Sequence, residues 1–258
     1  MNKLGRKQTS SNADWAEAWS DIENRITRQE IEDVTERTTE KIYAETKGKN
    51  AGYAWSGGKD SIVLAKLCED AGVKKCVLGR CDLEYPAFMA WVMDNHPEGL
   101  QTYNVGLDLD WLARNQQYLF PPLTYHYSRV IQIPAQDSFY KDNALDMILL
   151  GRRLADGNYV GAGTNLYTDR KGRTKYNPLS DWTHEQVLGF IHYNALPMPP
   201  IYAWKDGWKI GTHPWYTRPY AQNVEAGWRE VYNIDPAIVA AAAQKIDSAA
   251  CFMQGVDE

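Results

Sequence analysis

The fold is decided by the stretch from Ala51 to Ser61, which reads Ala-Gly-Tyr-Ala-Trp-Ser-Gly-Gly-Lys-Asp-Ser. Its first half is short and apolar, as in a buried strand, and an apolar run that suits a helix follows it up to Ala71. Small residues at the junction let the backbone approach an anion closely, and the start of the helix adds N–H groups and the positive end of its dipole. The pattern therefore predicts a strand, a phosphate-binding loop and a helix.

The side chains of this loop suit phosphate chemistry. Ser56 and Ser61 offer hydroxyl groups, and Gly57 and Gly58 let the backbone N–H groups converge on a phosphate. Lys59 supplies a positive charge to oxygens that gain charge while a phosphoryl bond breaks, which makes it a catalytic candidate.

Asp60 has two interpretations in this setting. It either helps to hold Mg²⁺ between phosphates, as a metal-binding and catalytic residue, or caps the first turn of the helix. The loop is not a Walker A motif, because Gly58 stands where that motif has its lysine and Asp60 follows Lys59.

Beyond the loop, strand patterns alternate with helix patterns, which predicts an α/β fold with a parallel sheet sandwiched by helices, Rossmann-like in form. We expect strands at 51–55, 75–79, 100–105 and 158–161, and helices at 60–71, 86–95, 108–117, 137–155, 181–196 and 238–253. The helix at 181–196 opens with a predicted capping box, from Thr183 to Gln186.

The N-terminal segment is predicted to be one long polar helix over 12–46. Its apolar positions change register along the chain, so either the apolar face rotates around the helix or the helix breaks near Arg28. We expect this arm to pack on the domain or on another subunit, so a homo-oligomer formed through it is one prediction. The predicted division is an arm at 1–49, a nucleotide-binding domain at 50–230 and a C-terminal helix at 231–258.

Composition narrows the class of protein. The chain has 258 residues, a net charge of −5 and no apolar run near the roughly 20 residues that span a bilayer. We therefore expect a cytoplasmic protein without a membrane partner. The net charge does not favour a nucleic-acid partner, although the cluster from Asp169 to Lys175 leaves local phosphate contacts open.

The motifs resemble a known family. Ser-Gly-Gly-Lys-Asp-Ser is similar to the loop of the PP-loop (N-type) ATP pyrophosphatases and of the phosphoadenosine phosphosulfate (PAPS) reductases, within the adenine nucleotide alpha-hydrolase-like superfamily. Further likenesses to the PAPS reductase branch cover about residues 50–230, namely Gly151-Arg152-Arg153, Lys175 to Thr183, Pro199 to Tyr202, Lys209 to Gly211 and Thr217-Arg218-Pro219.

The resemblance implies an adenine nucleotide as ligand, ATP or PAPS, together with Mg²⁺. It also implies that Arg153 or its neighbour Arg152 faces the anionic end of the nucleotide, since an arginine binds phosphate or sulfate bidentately. Arg153 is the catalytic candidate of the two, as an arginine that would stabilise the leaving group together with Lys59. We expect one of the two to form a structural salt bridge instead. Lys175 and Arg218 are weaker candidates for nucleotide binding, and His184 is predicted to lie on the surface.

The sequence departs from the reductases in its cysteines. Their C-terminal Glu-Cys-Gly-Leu/Ile-His motif has no counterpart around Cys251, where the chain reads Cys-Phe-Met-Gln-Gly-Val-Asp-Glu. Some relatives place Cys-x-x-Cys just before Thr-Arg-Pro, but the segment from Gly211 to Pro219 contains no cysteine. We therefore expect neither an iron–sulfur cluster nor thiol chemistry at Cys251.

Three functions remain open at this point. The favoured one is an enzyme that cleaves ATP between the α- and β-phosphates and adenylylates an acceptor in sulfur or nucleic-acid-modification chemistry. The alternatives are a thiol-dependent sulfonucleotide reductase and a nucleotide-binding regulatory subunit without turnover. The sequence identifies neither the acceptor nor a partner protein.

Overall fold

The computed structural model describes residues 4–5, 9–120 and 127–256. Its strands are β1 (Ala51–Ala54), β2 (Lys75–Arg80), β3 (Leu100–Asn104), β4 (Met147–Leu149), β5 (Leu166–Thr168) and β6 (Thr174–Tyr176). Its α-helices are α1 (Asn12–Ser20), α2 (Ile22–Arg25), α3 (Arg28–Thr46), α4 (Lys59–Asp70), α5 (Pro86–Asn95), α6 (Leu109–Arg114), α7 (Tyr127–Val130), α8 (Gln132–Asp142), α9 (His184–Tyr193), α10 (Gly207–Ile210), α11 (Val224–Ile234), α12 (Pro236–Ala242) and α13 (Asp247–Gln254).

The six strands form one sheet in the order β3-β2-β1-β4-β6-β5. Every neighbouring pair is parallel except β5 and β6, which are antiparallel. The chain builds outward from β1 through β2 to β3 and then crosses to β4 on the other side of β1, so the strand order reverses between β1 and β4. The predicted α/β fold is confirmed, with an antiparallel strand at one edge.

Helices cover both faces of the sheet, and β4 shows how its residues divide between them. Met147 and Leu149 belong to the large core that also contains α4, whereas Ile148 and Leu150 belong to a second cluster with Phe139 of α8. All four are buried, so the run is apolar throughout and lacks the alternation of a half-exposed strand.

Two predictions in the same part of the chain are wrong. The helix predicted at 137–155 ends at Asp142, because residues 147–149 form the central strand β4. The strand predicted at 158–161 is irregular; Gly157 precedes it with φ +79°, and Gly161 ends it with φ +130°. Short apolar runs buried on both sides look alike whether they form a helix or a strand.

The N-terminal arm packs on its own domain. It breaks near Arg28, as one of the two interpretations expected, because Thr27 caps a new helix in a capping box with Glu30. Its apolar residues, among them Trp15 and Ile22, are buried in the same core as the inner face of the sheet. The arm's buried face is therefore covered within the chain, while an oligomer formed through it stays a prediction.

The C-terminal helix predicted at 238–253 is two helices, α12 and α13, separated at 243–246 where Ile246 turns into the core. The predicted capping box at Thr183 and Gln186 is confirmed at the start of α9. No helix within the described ranges combines the length and the apolar character that crossing a bilayer requires.

Candidate functional site

The predicted loop joins β1 to α4 as a tight turn. Gly57 adopts φ +67°, a conformation that favours glycine, and a Cβ there would lie 2.9 Å from the Phe88 ring. The Ser56 amide donates to Ser61 Oγ at 3.0 Å, and Ser61 Oγ donates to the Gly58 carbonyl at 2.8 Å. The two serines therefore shape the loop around its glycines, and α4 begins without a side-chain cap.

An open cleft of about 380 Å³ lies on one side of this loop. It sits at the carboxyl ends of β1 and β4, where the strand order reverses, which is where open α/β sheets bind their ligands. From the loop it is lined by Ser56, Gly58, Asp60 and Ser61, from β2 by Val77 and Gly79, from α8 by Gln132 and Gln136, and after β4 by Arg152 and Asn158.

Lys59 points away from this cleft. Its side chain is 2% exposed, and Nζ lies 2.7 Å from Asp60 Oδ2 and 4.0 Å from Asp156 Oδ1. Arg153 is fully buried beside it, with Nε donating to Asp60 Oδ1 at 2.7 Å and Nη2 at 3.0 Å from Asp156 Oδ2. Two cations thus face two carboxylates in a balanced network that is buried except at Asp60, which is 24% exposed and borders the cleft.

His184 completes the network, so the prediction that it lies on the surface is wrong. It is 3% exposed, and its Nδ1 lies 3.1 Å from Arg153 Nη2. Because a guanidinium only donates, Nδ1 must accept, and the ring is neutral with its proton on Nε2. Burial, aided by the charges of Arg153 and Lys59, lowers the pKa of His184 to about 4.

Of the two consecutive arginines, Arg152 is the one that reaches the cleft. It is half-buried, and within the described ranges it forms no ion pair or side-chain hydrogen bond. Arg153 forms the structural salt bridges that we expected of one member of the pair. A half-buried cation without a carboxylate partner is suited to an anionic ligand.

The other two basic candidates do not line the cleft. Lys175, on β6, is half-buried and pairs with Asp169 at 3.1 Å. Burial lowers the pKa of Lys175, opposed by Asp169 and aided by nearby Arg152. Arg218 is 1% exposed and is held by Glu230 at 2.9 Å. Its role in this structure is to anchor the 205–218 segment to α11.

Two residues at the loop were missed by sequence reasoning. The hydroxyl of buried Tyr202 accepts the Lys59 amide at 2.8 Å, and a Cβ on Gly58 would lie 3.4 Å from Thr212 Oγ1. Both lie about 150 residues downstream of the loop in sequence, which spacing within one motif could not reveal. The signal for Tyr202 was its position in the family-like segment from Pro199, and Thr212 directly follows the one that ends at Gly211.

Asp60 fits poorly as a direct ligand of Mg²⁺. Both of its carboxylate oxygens already face cations, Lys59 Nζ and Arg153 Nε. No group of three or more His, Cys, Asp or Glu side chains within the described ranges could hold a metal ion. The Mg²⁺ site at Asp60 stays a prediction, and any such ion would have to depend mainly on nucleotide phosphates, as protein-bound Mg²⁺ often does.

The sheet order and the glycine loop place the chain among the Rossmann-like α/β proteins. The phosphoadenosine phosphosulfate reductase domain family matches residues 50–218, and the chain belongs to that family. The resemblance read from the loop and the arginine motif is thereby confirmed. The arm that carries Trp15 lies outside the matched range.

Individual relatives are distant. The phosphoadenosine phosphosulfate reductase of Emericella nidulans is 24% identical over 101 residues, which cover 39% of this chain and 31% of that protein. The match thus spans about a third of the length of this curated relative.

Solved structures are similarly remote. The Candida auris PAPS reductase in complex with phosphate is 17% identical, covers 68% of this chain and 91% of its own, and gives a TM-score of 0.48. The Candida glabrata FMN adenylyltransferase with FMN and an ATP analogue is 14% identical, covers 75% and 69%, and gives a TM-score of 0.45.

Proposed function

We propose that the chain is an enzyme that binds ATP in the cleft beside the Ser56–Ser61 loop and cleaves it between the α- and β-phosphates. The resulting adenylyl group would pass to an acceptor in sulfur or nucleic-acid-modification chemistry, with release of pyrophosphate. One observation carries the proposal: Arg152, which has no carboxylate partner among the described residues, and the glycine loop line one cleft at the reversal of strand order.

In this proposal, one group of residues binds the nucleotide and another supports the loop. Backbone groups at Gly57 and Gly58 and the hydroxyls of Ser56 and Ser61 bind the phosphates. Arg152 stabilises the negative charge that develops on the leaving pyrophosphate. Lys59, Asp60 and Arg153 fix the first turn of α4 from the buried side, so their contribution is to hold the loop in its binding shape.

A second candidate, nucleotide binding without turnover, is favoured by one observation. Lys59, the residue expected to act on the phosphates, is buried in an ion pair and does not line the cleft. The reductase alternative receives no such support, because Cys251 lies on α13 and lines a different groove, together with Val224 and Phe252.

The decisive experiment measures pyrophosphate release from ATP and Mg²⁺, with and without sulfate, persulfide or RNA as acceptor. Release by the wild type that is lost in Arg152→Ala supports adenylyl transfer. ATP binding without release under every condition supports the non-catalytic candidate. Sulfite formed from PAPS in a thiol-dependent reaction, and lost in Cys251→Ser, would overturn both.

A further inference from the structure

Aromatic side chains from outside the loop contact both the ammonium group and the backbone amide of Lys59, the first residue of α4. The ring of Trp15, on α1, lies 5.2 Å from Lys59 Nζ, and the Tyr202 hydroxyl accepts the Lys59 amide at 2.8 Å. Trp208 lies between the two, parallel to Trp15 with centroids 6.1 Å apart and 4.7 Å from the Tyr202 ring. We call Trp15, Tyr202 and Trp208 the aromatic clamp.

The clamp is built into the core of the protein. All three residues are buried, Trp15 completely. Asn12 at the start of α1 accepts the Trp208 amide at 3.0 Å, which ties the arm to the 200–210 segment. The Trp15 and His184 rings also meet edge to face, with centroids 4.6 Å apart. Trp15 therefore contacts two members of the buried network, Lys59 and His184.

We propose that Trp15 is a positioning residue of the nucleotide site, acting through Lys59. An aromatic face attracts an ammonium group, most strongly where water is excluded, as it is here. This attraction keeps Nζ between Asp60 and Asp156, and the balanced network in turn fixes the first turn of α4 and the glycines before it. An arm outside the family-matched range thus sets the shape of the phosphate loop, an inference that rests on the proposed nucleotide binding.

The test compares variants at two tryptophans of the same helix. Trp15→Leu removes the aromatic face, and Trp15→Phe keeps one. Trp19→Leu is the matched control, because Trp19 also packs on Trp208, with centroids 6.0 Å apart, but the 5.2 Å contact with Lys59 belongs to Trp15. Tyr202→Phe removes only the hydroxyl at the other end of the clamp. ATP dissociation constants are measured by calorimetry, and thermal midpoints separately.

We expect Trp15→Leu to weaken ATP binding by about 5- to 30-fold, the range that a buried cation–π contact supplies. Trp15→Phe should recover most of the affinity, Tyr202→Phe should lose some, and Trp19→Leu should bind as the wild type does even if its thermal midpoint falls equally. Equal affinities for all tryptophan variants, or equal losses at positions 15 and 19, would overturn the positioning role. A wild type that binds no adenine nucleotide would instead overturn the proposed function, whereas binding without turnover leaves the positioning role testable.

Discussion

The two sides of the phosphate loop differ in how their charges are partnered, and two consecutive arginines show the contrast. Arg153 is fully buried and faces Asp60 and Asp156, whereas Arg152 lies in the cleft without a carboxylate partner among the described residues. On the buried side, Lys59 and Arg153 are neutralised by carboxylates of the protein, which favours rigidity. On the cleft side, the charge of Arg152 is available to bind an anionic ligand. The same residue type thus supports the fold at one position and is available for ligand recognition at the next.

The largest effect is expected from breaking the buried side. Arg153→Met leaves the carboxylates of Asp60 and Asp156 underpaired inside the protein, which should lower the free energy of unfolding by about 3–5 kcal/mol. Urea denaturation at pH 7 measures this change. Arg152→Met is the matched control and should stay within about 0.5 kcal/mol of the wild type. Equal destabilisation by both variants would contradict the division of roles.

Breaking the cleft side should affect binding in place of stability. Arg152→Ala removes charge-assisted hydrogen bonds to phosphate, and the ATP dissociation constant should rise about 10- to 100-fold. Isothermal titration calorimetry provides the measurement. Arg152→Lys keeps the charge but not the planar pair of donors, so we expect it to recover only part of the affinity. Unchanged binding in Arg152→Ala would remove this residue from the site.

The smallest effect is expected in the pH dependence of stability, which involves His184 on the buried side. The pKa of His184 is lowered from 6.5 to about 4, so between these pH values the histidine is protonated in the unfolded chain but neutral in the folded protein. The contribution of His184 to the free energy of unfolding is therefore fully present above pH 6.5. It is lost as the pH falls through 4, which lowers the free energy of unfolding by about 1–3 kcal/mol. His184→Asn keeps an acceptor for Arg153 and should lose less stability over this window.

The same carboxylates are present in both proteins, so the difference between wild type and His184→Asn isolates the histidine. Chemical denaturation at pH 7, 5.5 and 4.5 provides the data. Parallel stability curves for the two proteins would show that His184 does not contribute to the acid sensitivity.

Much of the fold was predictable because local patterns determine it. The glycine loop between an apolar strand and an apolar helix was found in the sequence, as were the capping box of α9 and the start of α5 at Pro86. Prediction failed at β4, β5 and β6, which are three residues each. β4 is defined by its pairing with the distant strands β1 and β6, and β5 forms the sheet edge by pairing with β6. A short strand at the centre or edge of a sheet has no periodicity of its own.

For the site, the sequence alone was enough to find the glycine loop, the family and the expectation that one arginine of the pair is structural. Only the tertiary structure decided that Arg153 is that arginine, that Lys59 is turned inward and that Trp15, Tyr202 and His184 surround it. The physical reason is that side-chain direction and charge pairing depend on elements far apart in the chain. A sequence motif indicates which functional side chains are present, and packing determines whether each of them faces a ligand or another side chain.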